Sequence, residues 1–259
     1  MINRSTGFIG GGRVTRVILG GFKRAGKMPR RVVVSDTNIE VLNKLKEGFP
    51  EISIAPSDNK GPASKDIVFV ALHPPVASDV LREIKSYLKP ESIIVSLAPK
   101  LTIAKISERL EGFDRVVRIL PNAPSIVNAG YNPIAFSQGL SETEKKQLIS
   151  MFSILGECPS VSEKKLEGYA ILTAMGPTYL WFQLYELQEI GKLFGLNSQE
   201  AVDGVSKMAM GAVKTMRESG LSPAEVMDLI PVKPLEEEQE NIKHIYRSKL
   251  EALFKKLRA

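Results

Sequence analysis

GFIGGGRVTRVILGGF, residues 7–22, sets three consecutive glycines between a short apolar run and an amphipathic one. A strand that enters a helix through bare backbone can offer main-chain N–H groups to an anion. The first amides of a helix have no intrahelical partner, and the helix dipole favours negative charge beside them. Gly10, Gly12 and Thr15 fall on the G-x-G-x-x-G/A spacing of a dinucleotide fingerprint. Gly10 permits the tight turn, Gly12 lets a diphosphate approach the backbone, and the third position packs helix on strand. Thr15 is bulkier than the usual residue there, and Ser5 and Thr6 are weak fillers of a central strand. A glycine turn without a ligand stays open as the other reading of this stretch alone.

The sequence on either side supports a βαβ unit. RVVVS (31–35), DIVFVAL (66–72), SIIVSLA (92–98) and DRVVRIL (114–120) are almost continuously apolar, the pattern of parallel strands covered on both faces. Between them IEVLNKLKEGF, VASDVLREIKSYL and TIAKISERL carry helical periodicity. Strands alternating with helices predict a doubly wound α/β domain with right-handed crossovers. Asp36 ends the second predicted strand, near the position where an acid binds the adenosine ribose hydroxyls, which favours NAD. Its alternative is a helix cap or a loop acid. Arg13 lies inside the phosphate loop, where a guanidinium can hold a further phosphate, which favours NADP, or it is an exposed first-turn arginine. NAD and NADP both remain open on the residues.

After about residue 158 no further strand is read. Pro177 suits the first position of a helix, and TYLWFQLYELQEIGKLF after it is apolar nearly all round, up to Gly195 as a C′ residue. Such a helix must be covered, often by a second subunit. Asn197 with Glu200, then Ser222, Pro223 and Glu225, predict two further helix starts. A last helix is expected from about Leu235, acids (EEEQE) first and bases (KKLR) last. The expected fold class is α/β, with an N-terminal Rossmann-type doubly wound parallel sheet and a C-terminal all-α dimerisation domain. The expected domains are 1–158, dinucleotide-binding, and 159–259, all-helical.

Composition excludes several classes. In 259 residues, 43% hydrophobic and 25% charged, there is one cysteine, Cys158, and two distant histidines, His73 and His244. No disulfide framework and no metal site is expected. Cys158 reads as a packing residue, His244 as a partly exposed helix residue. No run is long enough to span a bilayer and MINRST is polar, so neither a membrane partner nor a secretory leader is expected, and the default place is the cytoplasm. The net charge of +6 comes from bases scattered among acids, apart from a corner at Lys23, Arg24, Lys27, Arg30 and Arg31. Without interleaved aromatics, no nucleic-acid partner is expected.

Several segments together resemble the pyrroline-5-carboxylate reductase family over nearly the whole length. GFIGGGRV resembles the family's opening GFIGxGxM, and FVALHPPVASDVL its fourth-strand motif, with His73 in place of a lysine. RILPNAPSIVNAG (118–130) is similar to RxMPNTPxxVxxG, and AMGPTYLWFQLYEL (174–187) to the segment that opens the dimerisation domain. The resemblance implies hydride transfer from NADPH or NADH to the C=N carbon of a small cyclic imine, in a homodimer that can assemble further. Where the family has a Ser-Pro-Gly-Gly-Thr-Thr loop for the substrate carboxylate, this chain has DLIPVKPLEEE (228–238), and Ala174-Met175 replaces Gly-Ser. Proline has no N–H to give an anion, so Lys233 is the substitute expected at the carboxylate.

The site residues expected from spacing and resemblance are these. Gly10, Gly11, Gly12, Arg13, Val14, Asp36, Ala71, Leu72, His73, Pro74, Ala98, Pro121 and Asn122 hold the cofactor. Asn122, His73 and Thr178 are the catalytic candidates, and Met175, Pro177 and Lys233 the substrate candidates. Asn122 ends a predicted strand, where ligands collect in α/β sheets, or stabilises its own turn. His73 can move a proton near neutral pH, or bonds to backbone at its strand end. Tyr179, Trp181, Phe182 and Tyr185 read as core or dimer contacts. A dinucleotide-binding protein without catalysis, and a reductase of another imine or carbonyl, are the competing readings. A 3-hydroxyacid-type dehydrogenase would want a catalytic lysine near GPTYLWFQL, which has none.

Overall fold

The computed structural model describes residues 4–258; Met1, Ile2 and Asn3 of the MINRST opening, and Ala259, lie outside the described residues. The chain runs β1 (Ser5–Ile9), α1 (Arg13–Arg24), β2 (Arg30–Asp36), α2 (Ile39–Gly48), β3 (Ser53–Pro56), α3 (Lys60–Ala63), β4 (Ile67–Val70), α4 (Pro74–Ile84), β5 (Ile93–Ser96), α5 (Ile103–Arg109) and β6 (Val116–Ile119). It continues with β7 (Gly130–Tyr131), β8 (Ile134–Phe136), α6 (Glu142–Phe152), β9 (Gly156–Glu157), α7 (Leu166–Tyr169), α8 (Pro177–Leu193), α9 (Ser198–Glu218), α10 (Pro223–Asp228) and α11 (Gln239–Arg258). Two compact units result. One holds the described residues up to Met175 together with those from Phe254 on, the other Gly176–Leu253.

In the first unit the sheet order is β3-β2-β1-β4-β5-β6-β8. Every pairing is parallel except that of β8 with β6. This is the Rossmann-type order with an antiparallel edge strand. Because neighbouring side chains on a strand face opposite ways, each strand feeds two cores. Phe8 and Phe69 join α1 and α6 residues such as Leu19, Phe22 and Phe152 on one face. Ile9, Val68 and Val70 join α4 and α5 residues such as Leu81 and Ile106 on the other. The Phe8 and Phe69 rings stack at 4.3 Å. A buried charge in β6, Arg118, is tolerated because Glu163 and Glu167 take its terminal nitrogens at 2.9 and 2.8 Å.

Ser5 and Thr6 earn their place in β1 differently from Val or Ile. The Asp66 carboxylate accepts the Ser5 backbone N–H at 2.9 Å and its hydroxyl at 2.8 Å, and Lys89 reaches the other carboxylate oxygen at 2.6 Å. One acid thus fastens the entrances of β1 and β4. Thr6 is fully buried.

Several elements have no counterpart in the sequence reading, and β3, β8 and α6 show why. β3 is a half-exposed edge strand of four residues, and β8 is three residues preceded by Pro133, so neither makes a run. The buried residues of α6, Leu148, Met151 and Phe152, crowd its last turns, so no full helical period shows. The last helix begins at Gln239, not Leu235. Hydrogen bonds from Glu236 to Lys233, Glu238 to Leu235 and Gln239 to Glu236 close tight turns instead, and only Glu240 of the acidic run lies in the first helical turn.

In the second unit the helix signals fall as spaced. Pro177 is the first residue of α8 and Gly195 follows it with φ +94°. Capping boxes form at Asn197 with Glu200 and at Ser222 with Glu225. Ala201 alone is buried among the described residues of this unit.

Candidate active site

The glycine loop is built for bare backbone. Gly10 has φ +103°, and a Cβ there would lie 2.5 Å from the Ala71 carbonyl oxygen. Its N–H donates to the Ser35 carbonyl at 2.8 Å, so the turn is locked between β2 and β4. Gly12 is the N-cap of α1, without a side-chain cap, and a Cβ on it would meet nothing within 4 Å. The first turn of α1 contains no acid. Its leading amides have no partner from the helix itself, and the space beside Gly12 is open, a cradle that fits a diphosphate.

Thr15 is fully buried, and its hydroxyl donates to the Gly10 carbonyl at 2.6 Å. The bulk at the third fingerprint position thus closes the glycine turn from inside the helix. Close backbone approach is supplied by Gly7 instead, whose Cβ would fall 2.1 Å from the Pro62 carbonyl oxygen. Asp36, at the end of β2, accepts the Gly11 N–H at 2.8 Å through one oxygen and the Asn38 N–H at 2.9 Å through the other. Asn38, not Asp36, caps α2.

The remaining cofactor candidates of this unit gather at the same sheet edge. Gly10–Val14, Asp36, Ala71–Pro74, Ala98 and Pro121–Asn122 follow the carboxyl ends of β1, β2, β4, β5 and β6, and those strands run parallel. His73 is the N-cap of α4 by its backbone, with Pro74 at the first helical position. Its side chain makes no capping bond and is exposed, so the backbone-bonded alternative does not describe it.

Asn122 is nearly buried, and both ends of its amide are engaged. Oδ1 accepts the Tyr131 N–H at 3.1 Å, and Nδ2 donates to the Thr173 carbonyl at 3.2 Å. Thr173 belongs to a π-helical stretch, Ala170–Ala174, which ends at Met175. Asn132 accepts the Asn122 N–H at 3.2 Å and the Ser125 hydroxyl at 2.8 Å. Asn128, in the left-handed region at φ +62°, donates to the carbonyls of Gly21 and Ile154, each at 2.8 Å. The PNAPSIVNAG segment is thus a clip that seats α1 against the chain after β6.

Pro177, Thr178 and Lys233 belong to the second unit. Thr178 lines an apolar groove of about 480 Å³ between α8 and α11, with Tyr179, Phe182, Ile242, Ile245 and Tyr246. Lys233 is half-buried in the turn-rich stretch after α10. Tyr185 and Phe182 are each 65% exposed within the chain, so neither is a core residue of it.

Sequence reasoning overlooked two residues. A cavity of about 530 Å³ opens on the glycine loop, lined by Gly11, Gly12, Arg13, Val41 and Leu45, and also by Arg16 and Lys44. Arg16 follows Arg13 by one helical turn, a spacing that puts both on one side of α1. Lys44 arrives through space from α2, which no spacing in the sequence announces. Elsewhere, burial pushes the Cys158 thiol up to about 12, which suits packing and not reactivity. Among the described residues there is no cluster able to hold a metal ion. No described helix is long and apolar enough to cross a membrane.

Residues 5–100 match the family model described as NADP oxidoreductase coenzyme F420-dependent. The chain is 25% identical over 230 residues to the pyrroline-5-carboxylate reductase of Escherichia coli (strain K12), covering 88% of this chain and 85% of that protein. It superposes on a pyrroline-5-carboxylate reductase structure from Coxiella burnetii with a TM-score of 0.72 at 27% identity, covering 98% of this chain and 94% of the other. The Plasmodium falciparum pyrroline carboxylate reductase, solved with NADP bound, shares the fold with a TM-score of 0.86 at 23% identity over 100% of this chain and 98% of that one. With the sheet order and the glycine turn already described, these likenesses make the chain similar in sequence and fold to pyrroline-5-carboxylate reductases.

Proposed function

We propose that this protein is an NAD(P)-dependent reductase that passes a hydride to the C=N bond of a small cyclic imine. The observation that carries the reading is the uncapped, acid-free start of α1, open around Gly12, at the carboxyl edge of the parallel sheet. The bound dinucleotide supplies the hydride; the protein supplies grip, orientation and field. Gly11, Gly12, Arg13 and Val14 hold the diphosphate by backbone and charge. Ala71 to Pro74, Ala98 and Pro121, after the carboxyl ends of β4, β5 and β6, are the residues that would hold the cofactor's reducing end. Asn122 acts as a positioning residue, because it ties the exit of β6 to the Thr173 carbonyl. His73, exposed and free of a capping bond, is the proton-bearing group we assign to that edge.

The substrate differs from that of the named relatives in how it is held. DLIPVKPLEEE offers no glycine pair and no hydroxyl, and Met175 replaces a serine. Lys233 supplies a point charge for a carboxylate, Thr178 a hydroxyl, and Met175 and Pro177 apolar contact. The working form is a homodimer, or a larger assembly of such dimers, in the cytoplasm.

Loss of reduced-nicotinamide absorbance on adding cyclic imines, with and without a carboxylate, tests this. Turnover of at least one imine is expected, with pyrroline carboxylate a poor substrate. Tight nucleotide binding without turnover across imines and ketones would instead mark a non-catalytic dinucleotide-binding protein.

A further inference from the structure

We propose that a cavity beside β6 is a second ligand site, for a small phosphate-class anion, on the face of the sheet opposite α1 and α2. The cavity measures about 300 Å³ and is lined by residues of the first unit alone. Lys100, Lys105 and Lys164 line it, with Arg258 from the end of α11. All four are exposed, and no hydrogen bond or ion pair ties their side chains down among the described residues. Arg258 rests on the Phe254 ring, 5.5 Å from its centroid.

The fifth cation of the cavity is Arg118, whose side chain is 2% exposed. It stands two residues from Val116 on β6, so it shares the face covered by α4 and α5, while α1 and α2 pack on the other. Glu163 and Glu167, which take its terminal nitrogens, are the only acids that line the cavity. Oε1 of Glu163 also accepts the Ile103 N–H at 2.7 Å. The Arg118 Nε–H finds no acceptor among the described residues, so the two acids do not fully engage the guanidinium. Two acids on one guanidinium leave one negative charge over, against four cations at the rim. Like charges held around one hollow repel each other, and an anion placed among them turns that repulsion into attraction.

Lys100 is held there at a cost. Its φ of +68° is left-handed backbone, strained for a lysine, and such strain collects at ligand sites. The turn from β5 to α5 thus keeps a cation where glycine would fit more easily. Ammonium groups act on a phosphate as point charges, and a guanidinium adds paired N–H bonds. No residue of this cavity is among the cofactor or substrate candidates, so the proposal does not depend on the nucleotide reading.

Calorimetric titration of the full chain with inorganic phosphate, at constant ionic strength and without nucleotide, tests the site. Binding with a Kd of roughly 1 mM or tighter is expected, with succinate, a longer dianion, about tenfold weaker or more. The K105Q/K164Q variant should bind phosphate about tenfold more weakly or worse. K27Q/K146Q, which removes two exposed lysines elsewhere, should bind it as the parent does. All four of these lysines are exposed, so both variants should unfold at the parent's midpoint, which circular dichroism checks. The site is wrong if phosphate does not bind, or if K105Q/K164Q binds it as the parent does. It is equally wrong if both double variants weaken binding alike, since that marks diffuse attraction to the net charge. Succinate bound as tightly as phosphate would overturn the phosphate class.

Discussion

Two glycines of one loop do different work, and one methyl group separates them. At Gly10 an alanine would have to adopt φ +103° and push its Cβ to within 2.5 Å of the Ala71 carbonyl. The backbone conformation alone costs roughly 1–2 kcal/mol, and the clash adds to it. At Gly12, φ is −69° and the space around the Cβ position is open, so Gly12→Ala should leave the unfolding midpoint within about 0.5 kcal/mol of the parent. The methyl would then stand where a diphosphate must approach, and nucleotide affinity should fall about tenfold or more. Thermal unfolding and nucleotide titration of the two variants separate the roles. Gly10→Ala should lose stability, and Gly12→Ala should lose binding alone. A Gly12→Ala protein that binds NADPH as the parent does would remove the phosphate from this loop. The loop was legible in the sequence because glycine spacing is a local code. Arg16 and Lys44 were not, since their meaning depends on α1 and α2 meeting across a cavity.

Strands announce themselves when they are buried on both faces. β4, β5 and β6 read clearly as Val/Ile runs, each buried at every position. β1 read weakly because Ser5 and Thr6 are held by hydrogen bonds that composition does not reveal. β3 and β8, at the sheet's edges, were missed for want of length, and α11 began late because turns around Pro234 use up the acids expected to start it. The fastening of β1 to β4 carries a pH signature. Burial raises the Asp66 carboxyl, but hydrogen bonds from Lys89 and Ser5, with the Lys89 charge, outweigh it and hold the group down from 3.8 to about 2. A carboxyl depressed in the folded state contributes its full stability above its unfolded value and loses it as the pH falls through the folded one. The side chain is 29% exposed, so the contribution is about 1–2 kcal/mol, present at neutral pH and lost between about pH 4 and pH 2. Denaturant midpoints measured through that window should show a falling limb in the parent that is shallower in Asp66→Asn. Identical limbs would mean that the contact adds nothing to stability.

The helical unit of residues 176–253 poses a problem that one chain does not solve. It buries a single residue, Ala201, while Leu193 and Phe194 stand 83% and 81% exposed and Met210 and Met216 65% and 68%. So much apolar surface on one chain exceeds what monomeric proteins ordinarily leave to water. α8 compounds it, being apolar on nearly every side with no buried residue of its own. A helix of that kind is stable in water only when something covers it, and a second copy presents the same complementary apolar faces. The protein's one tryptophan, Trp181, lies on α8 and is 44% exposed within the chain, which makes it a reporter of the covering. The expected outcome is a dimer or larger species by sedimentation, with Trp181 emission at the short wavelengths of a dry environment. Mass action requires the unfolding temperature to rise with protein concentration. Phe182→Glu would place a charge on the same helix, where its burial without a partner costs several kcal/mol. That variant should sediment as a monomer, shift Trp181 emission to the red, and unfold at a temperature independent of concentration. A parent that sediments as a monomer with red-shifted emission at micromolar concentration would leave these faces bare, and the homodimer would have to be given up.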